Sequence, residues 1–72
     1  MSISPVQYRM GKRIRRLRIK RGMVQIELAR KMNLGQATIS EWEAGLRWIR
    51  PESFKKLAKI LGTTIQYIMI GT

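Results

Sequence analysis

Seventy-two residues are enough for one small domain, expected to span 1–72, and such a chain buries only about 60–65% of its unfolded surface, so its stability margin is thin. It has no cysteine and no histidine, which excludes disulfides, Cys/His zinc sites and Cys- or His-based catalysis, and leaves neither a metal site nor a catalytic site to nominate. Fifteen Lys/Arg against four Asp/Glu give a net charge of +11, the electrostatic footprint for a polyanion, while no apolar run nears the roughly 18 residues needed to span a membrane and no signal-peptide pattern is present, so a cytoplasmic location is expected.

The chain opens on a helix start. Ser4 is an N-cap candidate, Pro5 suits the first helical position, Gln7 completes a capping box, and Ile3 with Tyr8 forms a hydrophobic staple. Val6, Met10, Ile14 and Leu17 then make one apolar stripe, which predicts a helix over about 5–20. Residues 1–9 are either an extension of that helix or an N-terminal arm, and the capping signals favour the helix. Gly11 interrupts the stripe, at about 1 kcal/mol relative to Ala. Eight of the fifteen cations fall in residues 9–21: Arg9, Lys12, Arg13, Arg15, Arg16, Arg18, Lys20 and Arg21. The segment has no Trp or Phe to insert into a bilayer, and its stripe is needed for a core, so a membrane surface is not the expected partner. Gly22 ends the helix.

A second helix is predicted over about 25–32, with Leu28, Ala29 and Met32 on its inner face. Asn33-Leu34-Gly35 makes the turn: Asn tolerates the left-handed conformation that ends a helix, Leu34 plugs it, and Gly35 can N-cap the next helix. The third helix, 36–44, has Ile39 and Trp42 on one face and Gln36, Ala37, Ser40, Glu41 and Ala44 on the opposite arc. That outer arc is polar or small, fit to enter a narrow space, and in so basic a chain it suggests a recognition helix for the DNA major groove. Gly45 closes it. Residues 45–51 form a loop, and Pro51 starts a fourth helix with Phe54, Leu57, Ala58 and Leu61 inward and Lys55, Lys56 and Lys59 outward. Gly62 stops it, and Thr64 caps a last short helix at 65–70. That helix has more apolar residues than one core face requires: Ile65, Ile68 and Met69 share one side, Tyr67 and Ile70 another. The leftover pair suggests a partner surface.

Residues 11–71 resemble the lambda-repressor-like (XRE/Cro) helix-turn-helix family, and within it the small lambdoid phage repressors and Cro proteins. The marks are Gln25, Leu28, Ala29, Leu34, Ile39, Trp42, Glu43 and Gly45 at that family's spacing, with the Gly62 break and the closing Gly71-Thr72. Val24 stands where the family usually has Thr, Ser or Asn, so the second helix lacks its usual N-cap; Asn33 stands where Gly is usual, and the loop to Pro51 is slightly longer. The resemblance implies an all-α, compact five-helix DNA-binding domain. It also implies a largely buried salt bridge between Arg18 and Glu43, a dimer contact through the C-terminal end at Tyr67 and Ile70, and a 46–51 loop that approaches the DNA backbone or minor groove.

On that reading, Gln36 reads a base, since its amide donates to and accepts from adenine N7 and N6. Ala37 meets a thymine methyl and Ser40 bonds a base or a phosphate. Glu41 accepts only from a donor such as cytosine N4 and repels phosphate, favouring specificity over affinity. Gln25 at a helix N-terminus, Thr38 at the flank, Arg47 and Arg50 in the loop, and Lys12, Arg13 and Arg16 in the first helix are the expected backbone contacts. The expected partners are double-stranded DNA and a second copy of the chain; no cofactor, small-molecule ligand or membrane is expected. The function so read is a sequence-specific transcriptional regulator, a Cro- or repressor-type repressor on a near-palindromic operator. An antitoxin or restriction-controller regulator, and a non-specific nucleic-acid-coating protein, stand as alternatives. Glu41→Ala separates the last: a coating protein would bind all sequences slightly better, whereas a reader would lose discrimination at one base pair. Four acids without His or Cys form no enzymatic constellation.

Overall fold

The computed structural model describes residues 4–72, and its described residues form five helices and no strand. They are α1 (Pro5–Lys20), α2 (Gln25–Met32), α3 (Gln36–Ala44), α4 (Pro51–Leu61) and α5 (Ile65–Ile70). The bounds agree with those read from the sequence. Residues 5–9 continue α1; residues 1–3, and with them the Ile3 half of the staple, lie outside the described residues.

The stops work by hydrogen bonding. At the end of α2, Asn33 takes the left-handed conformation (φ 59°), and the N–H of Leu34 reaches back to the Ala29 carbonyl at 2.9 Å while that of Asn33 bonds Arg30. At the end of α3, Gly45 does the same (φ 77°), with Leu46 N–H on the Glu41 carbonyl at 2.8 Å. These two left-handed closures fix the entry and exit of α3. The same six-to-one pattern closes α1, through Met23 and Arg18, and α4, through Thr63 and Ala58.

The start of α5 is capped as expected, Thr64 Oγ1 accepting Tyr67 N–H at 3.0 Å, and that of α2 lacks a side-chain cap as expected, but that of α1 is less well served. Ser4 gives its carbonyl to Tyr8 N–H at 2.9 Å, but its hydroxyl caps nothing and the Gln7 box does not form. Pro5 at the first helical position removes one of the N–H groups in need of a partner. Val24 has the backbone of an N-cap without an acceptor; only the reciprocal half of a box exists there, Glu27 Oε1 accepting Val24 N–H at 3.1 Å.

Every helix contributes at least one fully buried aliphatic side chain to a single core: Ile14, Leu28, Ile39, Leu57 with Leu61, and Ile68. Trp42 and Ala29 belong to the same core. Two loop residues also enter the core, Met23 and Ile49, which no periodicity marks. Val6 is half exposed, so the buried stripe of α1 begins at Met10. The reading of Gly11 as a mere interruption is corrected. Gly11 is where α1 crosses the C-terminal end of α3: a Cβ there would collide with the carbonyl oxygen of Trp42 and lie 2.8 Å from that of Glu43. Its missing side chain lets two backbones approach.

Two arginines of the α1 region tie the far end of the fold. Arg13 Nη1 donates to the carbonyls of Ile68 (2.9 Å) and Met69 (3.2 Å), and Arg21 Nε donates to that of Leu61 (3.3 Å). Each supplies a cation and a donor to the C-terminal end of another helix, α5 and α4 respectively.

Candidate nucleic-acid interface

The geometry starts from a buried ion pair. Arg18 and Glu43 face one another across the α1–α3 crossing, with side chains only 9% and 4% exposed. Nε of Arg18 donates to Glu43 Oε2 at 2.6 Å, Nη2 to Oε1 at 3.0 Å, and Nη1 to the Met23 carbonyl at 2.7 Å. The fork-to-fork contact is the strong form of such a pair, and the third bond satisfies the outer nitrogen. The resemblance implied this pair, and the structure contains it.

The pair reaches the surface through two glutamines. Gln25, the first residue of α2, donates from Nε2 to Glu43 Oε1 at 3.1 Å, and its own Oε1 accepts from Gln36 Nε2 at 3.4 Å. Arg18, Glu43, Gln25 and Gln36 therefore form one chain of contacts from the core to the outer face of α3. Gln25 is partly buried and held at both ends. Gln36 is exposed. Spending one amide hydrogen on Gln25 leaves it a second N–H donor and its carbonyl oxygen, the set that matches an adenine edge.

On α3, Ile39 and Trp42 are buried, while Gln36, Ala37, Ser40 and Ala44 are exposed. The expected division of faces is present. Glu41 is half-buried, because Arg47 lies on it: Arg47 Nε donates to Glu41 Oε1 at 2.8 Å, and Nη2 is 2.7 Å from the same oxygen. Thr38, Arg47 and Arg50 line a groove of about 300 Å³ beside α3, with Leu34, Trp42 and Trp48 as its apolar walls. Trp48 is 57% exposed there.

The seven expected backbone contacts fall into separate places. Gln25, Thr38, Arg47 and Arg50 surround α3. Lys12, Arg13 and Arg16 instead meet Arg9, Tyr67, Ile70 and Gly71 in a shallow basic depression between α1 and α5. Gly11 and Arg18 mark the side of α1 against α3, and Lys12 and Arg16 lie about 100–160° around the helix from them. Lys12 also stands over the Tyr8 ring, 5.2 Å from its centroid. Of the dimer candidates, Ile70 is 60% exposed and Tyr67 is partly buried beside Arg13. The C-cap role of Arg13, the Arg21 counterpart and the Glu41–Arg47 pair carry no local sequence signal, since each joins residues through the tertiary fold.

A helix-turn-helix family model matches residues 14–68 of the chain. Among solved structures, the P22 c2 repressor, determined with a synthetic operator, is 30% identical, with 88% of this chain and 96% of that chain aligned at a TM-score of 0.84. The restriction–modification controller protein C.AhdI of Aeromonas hydrophila is 27% identical, with 86% and 94% covered at a TM-score of 0.80. The clp gene regulator ClgR of C. glutamicum, at 21% identity, shares the fold, with 97% and 90% covered and a TM-score of 0.86. No curated protein sequence matches significantly.

Proposed function

The chain belongs to the helix-turn-helix family and is a sequence-specific DNA-binding regulator of transcription, and we propose that it acts as a repressor, binding a near-palindromic operator as a homodimer and occluding a promoter. The observation that carries this reading is the contact chain from Arg18 through Glu43 and Gln25 to Gln36. It pins the start of α2 to the start of α3, so the base-reading amide and the phosphate-facing N-terminus of α2 keep a fixed spacing. α3 has nine residues, about 13 Å of helix, and the B-DNA major groove is about 12 Å wide.

In this reading Gln36 reads adenine, Ala37 a thymine methyl, and Ser40 and Glu41 the base edges next along the groove. Gln25, Thr38 and Arg50 hold the backbone on either side. Lys12 and Arg16 contribute from the flank of α1, through field or through the adjacent backbone. Residues 1–72 work as one DNA-binding unit. The second copy docks through the α5 end, where Ile65, Met69 and Ile70 are all exposed apolar side chains on one six-residue helix. Two recognition helices would then read half-sites one helical turn apart, roughly 34 Å. The mechanism calls for no cofactor, small ligand or catalytic group, and its place is the cytoplasm; among the described residues no helix is long and apolar enough to cross a membrane.

The test is Gln36→Ala against the operator recovered by selection. Loss of preference at one A·T pair per half-site, worth about 1–3 kcal/mol, supports the reading. Uniform weakening across all sequences would overturn it. The similarity to C.AhdI favours a second reading of the biology, in which the same binding controls restriction–modification genes. Mapping where the protein binds in its own genome separates the two.

A further inference from the structure

Only four carboxylates stand against fifteen cations in this chain, yet one of them, Glu41, sits on the face assigned to DNA. A bare carboxylate there would repel the phosphates on both walls of the groove. The fold does not leave it bare. Leu46 N–H bonds the carbonyl of Glu41 itself at 2.8 Å, and Gly45 N–H bonds that of Trp42 at 3.1 Å. This closure turns the chain back, so that the side chain of Arg47, six residues on, returns to Glu41. Both of its contacts, Nε at 2.8 Å and Nη2 at 2.7 Å, fall on Oε1. Among the described residues no donor reaches Oε2.

From this geometry we propose that Arg47 is a positioning residue for base recognition: it clamps Oε1 of Glu41, neutralises the carboxylate for entry into the groove, and leaves Oε2 presented as the acceptor for a base-edge amine, the N4 of cytosine. The proposal rests on the reading of α3 as the recognition helix. It differs from the simpler role of Arg47 as a phosphate contact in one respect. A phosphate contact adds affinity to every sequence alike, whereas a clamp on Glu41 acts on one base pair. Arginine suits the task because it donates one hydrogen bond from Nε to Oε1 while Nη2 of the same planar guanidinium stays within ion-pair distance of that oxygen, so the direction of approach is set as a lysine ammonium would not set it. Four of its five N–H donors remain for the backbone.

Both side chains are about half exposed, 49% for Arg47 and 41% for Glu41, so replacing either leaves the core untouched. The probe is the highest-affinity duplex from a random-sequence selection, with each base pair then replaced in turn. Glu41→Ala is expected to abolish a preference of about tenfold at one base pair per half-site. Arg47→Ala is expected to reduce the preference at that same base pair by about threefold or more, and to have no effect on it in the Glu41→Ala background, as coupled residues require. Arg47→Lys should restore overall affinity more fully than discrimination. All four proteins should melt together with the parent. If Arg47→Ala weakens every duplex by one common factor with the preference intact, Arg47 is a backbone contact and the clamp is overturned while the recognition helix stands. If Glu41→Ala leaves every base preference unchanged, Glu41 reads nothing and the clamp falls with it. If the selection enriches no site, the recognition reading itself fails before any variant is compared.

Discussion

Glu43→Ala is the most revealing single perturbation of this fold. It removes both acceptors of the Arg18 fork and the acceptor of Gln25, but leaves the guanidinium in a site where the side chain is 9% exposed. Breaking a buried pair by deleting one partner costs about 3–5 kcal/mol, because the remaining charge is desolvated and unpaired. A chain of this length has a total stability of only about 4–11 kcal/mol. The loss is therefore a large fraction of the whole, and the melting temperature should fall by roughly 12–40 °C, at about 4–8 °C per kcal/mol. The assay is urea and thermal unfolding followed by far-ultraviolet circular dichroism. Arg18→Met/Glu43→Met provides the control. With both charges gone and apolar volume restored, stability should return to within roughly 1–2 kcal/mol of the parent. The same double variant still lacks the Gln25 anchor, so it should bind DNA with poorer discrimination than its stability would suggest. If Glu43→Ala unfolds within about 1 kcal/mol of the parent, the desolvation argument is refuted and the pair is not a structural keystone.

Gly11→Ala should destabilise by about 1–3 kcal/mol, as an overpacked contact against the α3 carbonyls, where helix propensity alone would favour Ala by about 1 kcal/mol; the sign of the change in urea midpoint decides between them. Arg16→Gln should lower the slope of log K against log salt by about 0.9 if it meets a phosphate, whereas Arg13→Gln should leave the slope and instead cost about 1 kcal/mol by uncapping α5. Ile70→Ser should weaken self-association in sedimentation experiments without moving the melting temperature at concentrations where the parent is monomeric, since Ile70 is 60% exposed in the single chain. A dimer built there brings two copies of the Arg9, Lys12, Arg13 and Arg16 cluster together, so raising salt should tighten the DNA-free dimer while loosening the DNA complex.

The helix boundaries were legible because they rest on local chemistry. Proline at a first turn, Asn33 and Gly45 in the left-handed region, and a 3.6-residue apolar period act over a few residues and are visible in order along the chain. The division of α3 into buried Ile39 and Trp42 and an outer arc of Gln36, Ala37 and Ser40 was legible for the same reason. What escaped was set at distance. Gly11 reads as a helix defect until α3 is seen to cross it. Met23 and Ile49 sit in loops, where no period betrays burial. Arg13 is one of eight neighbouring cations, and nothing local says that it alone reaches the last carbonyls of α5. Glu41 and Arg47 are six residues apart, a spacing that means nothing on a helix and acquires meaning only through the turn at Gly45. The Ser4–Gln7 box shows the opposite error, a local signal that fits a rule and is not used.

The measurement that tests sequence reading by α3 most directly is a binding selection from random duplex DNA with the purified protein at near-physiological salt. A two-fold symmetric site, with half-sites one helical turn apart and an A·T pair at the position lost in Gln36→Ala, is the expected result. Tight, strongly salt-dependent binding with no enriched sequence would contradict it, because the +11 charge alone would then account for binding and the ordered glutamine chain would have no part in it.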